Sequence, residues 1–141
     1  MFWENVASSS AQQGPATWEY RLLPQAASVA DARSHVRYAL ESRLDPGTLS
    51  DIELVVSELV TNAVRHGPGA VITLRLVTDA DGGISGEVVD QGDGVVAIRQ
   101  HEIGTAAEGG MGLPIVDTLT DAWGVYPGST HVWFRFGPSH G

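Results

Sequence analysis

The stretch from Leu49 to His66 constrains the fold more than any other part of this chain. Ile52, Val55, Val56, Leu59, Val60 and Ala63 recur at spacings of three and four, which on a helix of 3.6 residues per turn gathers them into one stripe. The pattern begins around Leu49 to Asp51 and stops at Gly67-Pro68-Gly69, residues that end helices. Such a helix must bury one face against a second layer and leave the other face available. With 141 residues, 43% of them hydrophobic, the chain suffices for one core and one domain.

The remaining elements arrange themselves around that helix. Trp18 to Leu23 roughly alternates and meets Pro24, a short strand closed by a turn. Val29, Ala32, Val36, Ala39 and Leu40 mark an earlier amphipathic helix, with Ser28 as its candidate cap and an end near Asp45-Pro46-Gly47. Val71 to Val77 and Ile84 to Val89 read as a hairpin through Asp79-Ala80-Asp81-Gly82-Gly83, where the Asp pair serves the turn. A glycine-bearing stretch runs from Gln91 to Gly112, followed by a helix from Leu113 to Asp121 with Pro114 in its first turn. Ala122 to Tyr126 and His131 to Phe136 close the chain as strands. This order predicts an α/β two-layer sandwich, a mixed and mostly antiparallel sheet with helices on one face. Trp18, Trp123 and Trp133 are expected in its core. Residues 1–17, with Ser8-Ser9-Ser10 and Gln12-Gln13, are expected to form a disordered leader, and 18–141 the domain.

Charge and composition exclude several function classes. Seventeen acidic against eight basic residues give a net charge of −9, which disfavours nucleic acid and anionic membranes as partners. All eight basic residues are arginine, so a lysine-dependent P-loop is ruled out. The absence of cysteine removes disulfides and thiolate chemistry. No run of 18 apolar residues occurs, and the expected location is the cytoplasm.

Three segments carry chemistry. Glu58 and Asn62 lie one turn apart on the polar face of the long helix, with Arg65 and His66 beyond them. An Asn oxygen together with substrate phosphates suits Mg²⁺, which leaves Glu58 free as a base; an incidental solvated face gives the same spacing. Asp90 ends a β-run before Gln91-Gly92-Asp93-Gly94, where a buried carboxylate can accept from an exocyclic amine and glycine admits close approach; an ordinary Asp-Gly turn reads the same way. Glu108-Gly109-Gly110-Met111-Gly112-Leu113 opens a helix and offers backbone N–H groups to a polyphosphate. A dinucleotide-binding reading fails there for want of a βαβ unit and its acidic residue.

In this order and spacing, Glu58 to His66, Asp90 to Gly94 and Gly110 to Leu113 resemble the N, G1 and G2 boxes of the ATPase superfamily shared by DNA gyrase, sensor histidine kinases and a heat-shock chaperone. Within it the chain looks most like the small bacterial anti-sigma-factor serine/threonine kinases, over Trp18 to Phe136. The resemblance implies the histidine-kinase-like (Bergerat) fold and the cofactors ATP and Mg²⁺. It implies that Asn62 holds Mg²⁺, that Asp90 accepts from the adenine amine and that Gly92 and Gly94 shape the adenine pocket. Gly110 and Gly112, with Met111 and Leu113 in the same box, would meet the phosphates, under a lid from Ile98 to Glu108. Thr130 matches a residue that supports adenine binding, Glu58 matches the general base, and Arg65 stands where many relatives carry Lys.

The implied substrate is a Ser or Thr of a small anti-anti-sigma protein, with a sigma factor as a further partner and a homodimer as the assembly. The presence of both Glu58 and Asn62 argues for catalysis. A catalytically silent, nucleotide-gated binding protein and a scaffold with a vestigial pocket are the alternatives. Arg33 and Arg37 present either a docking contact or a plain solvated face. His35 and His66 are not phosphoacceptors, and His66 is expected to cap the helix or line the pocket rim. Pro114 is unusual for the family and stiffens the lid's hinge.

Overall fold

The computed structural model describes residues 15–66, 70–90, 113–126 and 131–138. The elements run β1 (Ala16–Leu22), α1 (Ala27–Leu40), α2 (Pro46–His66), β2 (Ile72–Thr78), β3 (Ile84–Asp90), α3 (Leu113–Leu119), β4 (Ala122–Val125) and β5 (Val132–Phe136). The strands form one five-stranded sheet in the order β1-β2-β3-β5-β4. Every described pairing is antiparallel, where a mixed, mostly antiparallel sheet was expected. β1 begins at Ala16, inside the stretch read as a leader, because Ala16 and Thr17 pair with Thr78 and Val77.

Alternation decides which face the helices cover. Ile72, Leu74 and Leu76 on β2, Ile84 and Val88 on β3, and Val132, Phe134 and Phe136 on β5 are buried with the stripes of α1 and α2 in one core. Phe134 and Phe136 meet edge to face, ring centroids 5.9 Å apart. Gly86 stands opposite Phe134 in the register, and a β-carbon there would run into the Phe134 ring. The strand thus yields room to an aromatic neighbour. Trp18 and Trp123 pack against the core as expected. Trp133 does not, since its place in β5 alternates onto the uncovered face, against Gly124.

α1 and α2 form an antiparallel hairpin. Arg33 donates to Ser57 Oγ at 3.0 Å, and Arg37 pairs with Glu53 at 2.7 Å, one turn along each helix in opposite senses. Both arginines are engaged with α2 while remaining exposed. α1 meets β1 through Tyr20 stacked on His35, centroids 4.1 Å apart, and Arg43 lies over the Trp18 ring at 5.2 Å.

Two helix starts differ from expectation for local reasons. Ser28 is not a cap: it sits inside α1, buried, and its hydroxyl donates to the Leu23 carbonyl at 2.7 Å. α2 begins at Pro46, not at Leu49 to Asp51, because Asp45 caps it. The Thr48 N–H donates to Asp45 Oδ2 at 3.1 Å, the Thr48 hydroxyl donates to Oδ1 at 2.7 Å, and Pro46 occupies the first helical position. The same Asp-Pro-Gly that separates two helices starts the second. At the hairpin, Asp79 accepts from the Gly83 N–H at 2.7 Å and pairs with Arg135 at 2.9 Å, and Gly82 takes φ +97°.

The Asp45 cap makes a pH-dependent prediction. The Thr48 side-chain and backbone hydrogen bonds hold its carboxyl below the usual 3.8, so its stabilisation is complete above the unfolded value and is lost as pH falls through the lower folded one. Asp45→Ala is expected to unfold at a lower temperature than the parent at pH 7, with the gap narrowing below about pH 3.8. Thermal melts followed by circular dichroism across pH 2.5–7 check this; a gap independent of pH contradicts it.

Candidate functional site

α2 carries its polar stripe on the side turned away from the sheet-facing residues. Glu58 is half-buried, Asn62 is 4% exposed and Arg65 is exposed. The Asn62 Oδ1 atom is fully enclosed and has no hydrogen-bond partner among the described residues. An enclosed, unpaired amide oxygen costs about 1–3 kcal/mol. Its chemistry suits a hard cation or a hydrogen-bond donor, and the half-buried carboxylate one turn before it is able to accept a proton.

The sheet register brings a second expected residue to the same end of the molecule. The chain leaves α2 at His66 and enters β2 at Ile72, and Ile72 is the register partner of Asp90. Along β3 the buried positions are Ile84, Gly86, Val88 and Asp90, so the Asp90 side chain lies on the helix side, 4% exposed. β3 packs against α2, as does α3, whose backbone opens at Leu113. Both flanks of the stretch 91–112 thus belong to elements seated on the helix that holds Glu58 and Asn62. Gly92, Gly94, Gly110, Met111, Gly112 and Thr130 lie outside the described residues, as does the expected lid from Ile98 to Glu108. Pro114 is in the first turn of α3, where its carbonyl accepts from the Thr118 hydroxyl at 2.9 Å.

A buried carboxylate at a strand end, an enclosed Asn oxygen and a carboxylate one turn earlier thus lie toward the same end of two elements that pack together. The family description "Histidine kinase-like ATPase domain" matches residues 22–136, which span all three. The chain belongs to that family. Among the relatives of this ATPase domain are proteins named Anti-sigma F factor. The one from Geobacillus stearothermophilus is 36% identical over 95 residues, 59% of this chain and 64% of the relative. The one from Clostridium acetobutylicum is 31% identical over 114 residues, 73% and 78% of the two chains. The chain thus spans slightly less than two thirds of the Geobacillus relative. A chain in the crystal structure of the SiaB-SiaC complex from Pseudomonas aeruginosa shares the fold, with TM-score 0.56, 12% identity and 94% coverage of each.

The ATPase domain also holds features that motif reading does not reach. Ser57, buried beside Glu58, is the acceptor for Arg33; a serine among apolar helix positions gave no signal of it. Arg75, Glu87, His131 and Trp133 gather on the uncovered sheet face, with Arg75–Glu87 at 3.3 Å and His131–Glu87 at 2.5 Å. Their alternation was legible, but their adjacency needed the register.

The enclosed Asn62 oxygen predicts a trade of stability for binding. Asn62→Leu removes an unpaired polar atom while keeping the number of side-chain heavy atoms, and is expected to raise the ligand-free protein's stability by about 1 kcal/mol in urea unfolding. A loss of stability instead would show that the amide is already satisfied.

Proposed function

We propose that this protein is an ATP-dependent serine/threonine kinase that acts as an anti-sigma factor and phosphorylates a small anti-anti-sigma protein. The reading rests on the enclosed, unpaired Asn62 oxygen beside Glu58 and the buried Asp90, in a chain of this family with relatives named Anti-sigma F factor. The sigma factor is the second partner under this reading.

Asp90 accepts from the adenine amine and so selects the nucleotide. Asn62 would hold Mg²⁺ through Oδ1, and the ion would supply neutralisation of phosphate charge. Arg65 supplies an exposed guanidinium toward phosphate, and Gly92, Gly94, Gly110, Met111, Gly112, Leu113 and Thr130 complete the pocket. Glu58 takes the proton from the substrate hydroxyl as its oxygen bonds to the γ-phosphorus. The bond to the β-phosphate oxygen breaks, and ADP leaves with the electron pair.

We also propose a homodimer formed through the uncovered sheet face. Arg21, Arg75 and Arg135 are offset there by Glu19, Asp79 and Glu87, so the face is neutral in a chain of net charge −9. On it two copies can meet without net charge repulsion. A groove of about 290 Å³ runs over it between Arg75, Tyr126, Trp133 and Arg135.

Calorimetric titration is expected to show ATP binding that needs Mg²⁺, fails in Asn62→Ala and weakens in Asp90→Asn. Glu58→Gln should keep that binding and lose at least about 100-fold in phosphoryl transfer to the anti-anti-sigma protein. Transfer unchanged in Glu58→Gln would refute the base, and binding without transfer in the parent would leave a nucleotide-gated binding protein. Light scattering is expected to give twice 14.9 kDa, falling to a monomer in Trp133→Glu and in Arg75→Glu; a monomeric parent refutes the dimer.

A further inference from the structure

Leu54 departs from the rest of α2. It is 42% exposed, whereas Ile52, Val55, Val56, Leu59 and Val60 on the same helix are 2% exposed or less. With Pro114, Ile115, Thr118 and Leu119 of α3 it lines an open groove of about 280 Å³. The Thr118 hydroxyl is committed to the Pro114 carbonyl at 2.9 Å. Among the described residues the lining is therefore mainly apolar, with no free side-chain donor for a phosphate, a sugar or a base edge, and rewards an apolar side chain.

Its position indicates whose side chain. Leu54 and Glu58 are four residues apart, neighbours on one helix stripe with about 6 Å between them. An extended peptide advances about 3.3 Å per residue and returns its side chains to one side every second residue. The two repeats coincide, so a peptide that runs along α2 with its hydroxyl at Glu58 carries the side chain two residues away over Leu54.

We propose that the groove between α2 and α3 is a specificity subsite that takes an aliphatic or aromatic side chain of the protein substrate, two residues from the hydroxyl presented to Glu58. This rests on the kinase reading above and adds to it a selection that the nucleotide pocket does not make. Leu54, Ile115 and Leu119 are the residues that make it.

The test uses the full chain, ATP and Mg²⁺, and serine peptides varied at each position around the serine. The expected result is a preference of about tenfold or more in kcat/KM for Leu, Ile, Met or Phe over Ala or Asp two residues from the serine, carried by KM. Leu54→Gln should erase that preference while leaving the calorimetric affinity for ATP unchanged. No preference at that spacing, or one that persists in Leu54→Gln, overturns the proposal. If no peptide is phosphorylated, transfer to the intact anti-anti-sigma protein judges the kinase reading, and methyl NMR with the same peptides judges the groove. Shifts of the Leu54, Ile115 and Leu119 methyls with leucine peptides but not aspartate peptides uphold an apolar subsite; no shifts overturn it. Methyl shifts that follow protein concentration alone, or that vanish on joint substitution Phe2→Ser and Trp3→Ser, assign the groove to a second copy or to the chain's own start and overturn it as well.

Discussion

The burial of α2 against the sheet is the contact on which the other features depend. Ile52, Val55, Val56, Leu59 and Val60 are 2% exposed or less, and they face strand residues equally enclosed. Each side chain so buried contributes roughly 1.5–3 kcal/mol, so the helix is fixed in rotation as well as in position. That rotation places Glu58 and Asn62. A helix held by a weaker stripe could turn by a fraction of a residue and lose the relation between Asn62 and the end of β3. The hairpin partner α1 adds a brace through Arg33–Ser57 and Arg37–Glu53, though the exposed Arg37 leaves the second pair open to solvent screening. Its value lies in setting the register of two helices.

The same contact explains why a polar oxygen is left unpaired in an interior. Asn62 lies at the border between the core stripe and the polar stripe, so burial reaches it without supplying a partner. Packing elsewhere along α2 offsets the penalty. On the kinase reading, function is thereby located at a place where folding is locally unsatisfied.

Periodicity alone was enough to read the element order and the layer arrangement, because α1, α2 and the strands each bury a regular face. Boundaries were harder where one residue type serves two purposes. Asp45-Pro46-Gly47 reads as a break, and it is one, but Asp45 and Pro46 also begin α2. Ser28 reads as a cap, yet its hydroxyl turns back to Leu23. Arg33 and Arg37 look solvated until the antiparallel hairpin puts Ser57 and Glu53 opposite them. Trp133 looks like core because tryptophan usually is, and only the pairing of β3, β5 and β4 shows its face. Of the candidate site, the places of Glu58 and Asn62 on one helix stripe and of Asp90 at a strand end were legible because helix spacing and strand ends are local properties, whereas the roles expected of them came from the resemblance. Leu54 was not, because an exposed leucine has meaning only once α3 lies beside it.

The uncovered face of the sheet and the polar end of α2 divide the electrostatics of the chain. Three arginines and three carboxylates balance on the sheet face, so the net charge of −9 is carried by the rest of the chain, to which the candidate site belongs. A polyphosphate arriving there meets repulsion, and no lysine is present to relieve it. Arg65 is one exposed guanidinium against that field. A divalent cation that travels with the ligand lowers the ligand's charge before entry, and an enclosed Asn oxygen, neutral and unpaired, can receive such a complex without adding further charge. A carboxylate at position 62 would bind the free cation more strongly but would repel the phosphates beside it. On the kinase reading the neutral oxygen is therefore the better ligand, since it leaves affinity for the metal dependent on the nucleotide.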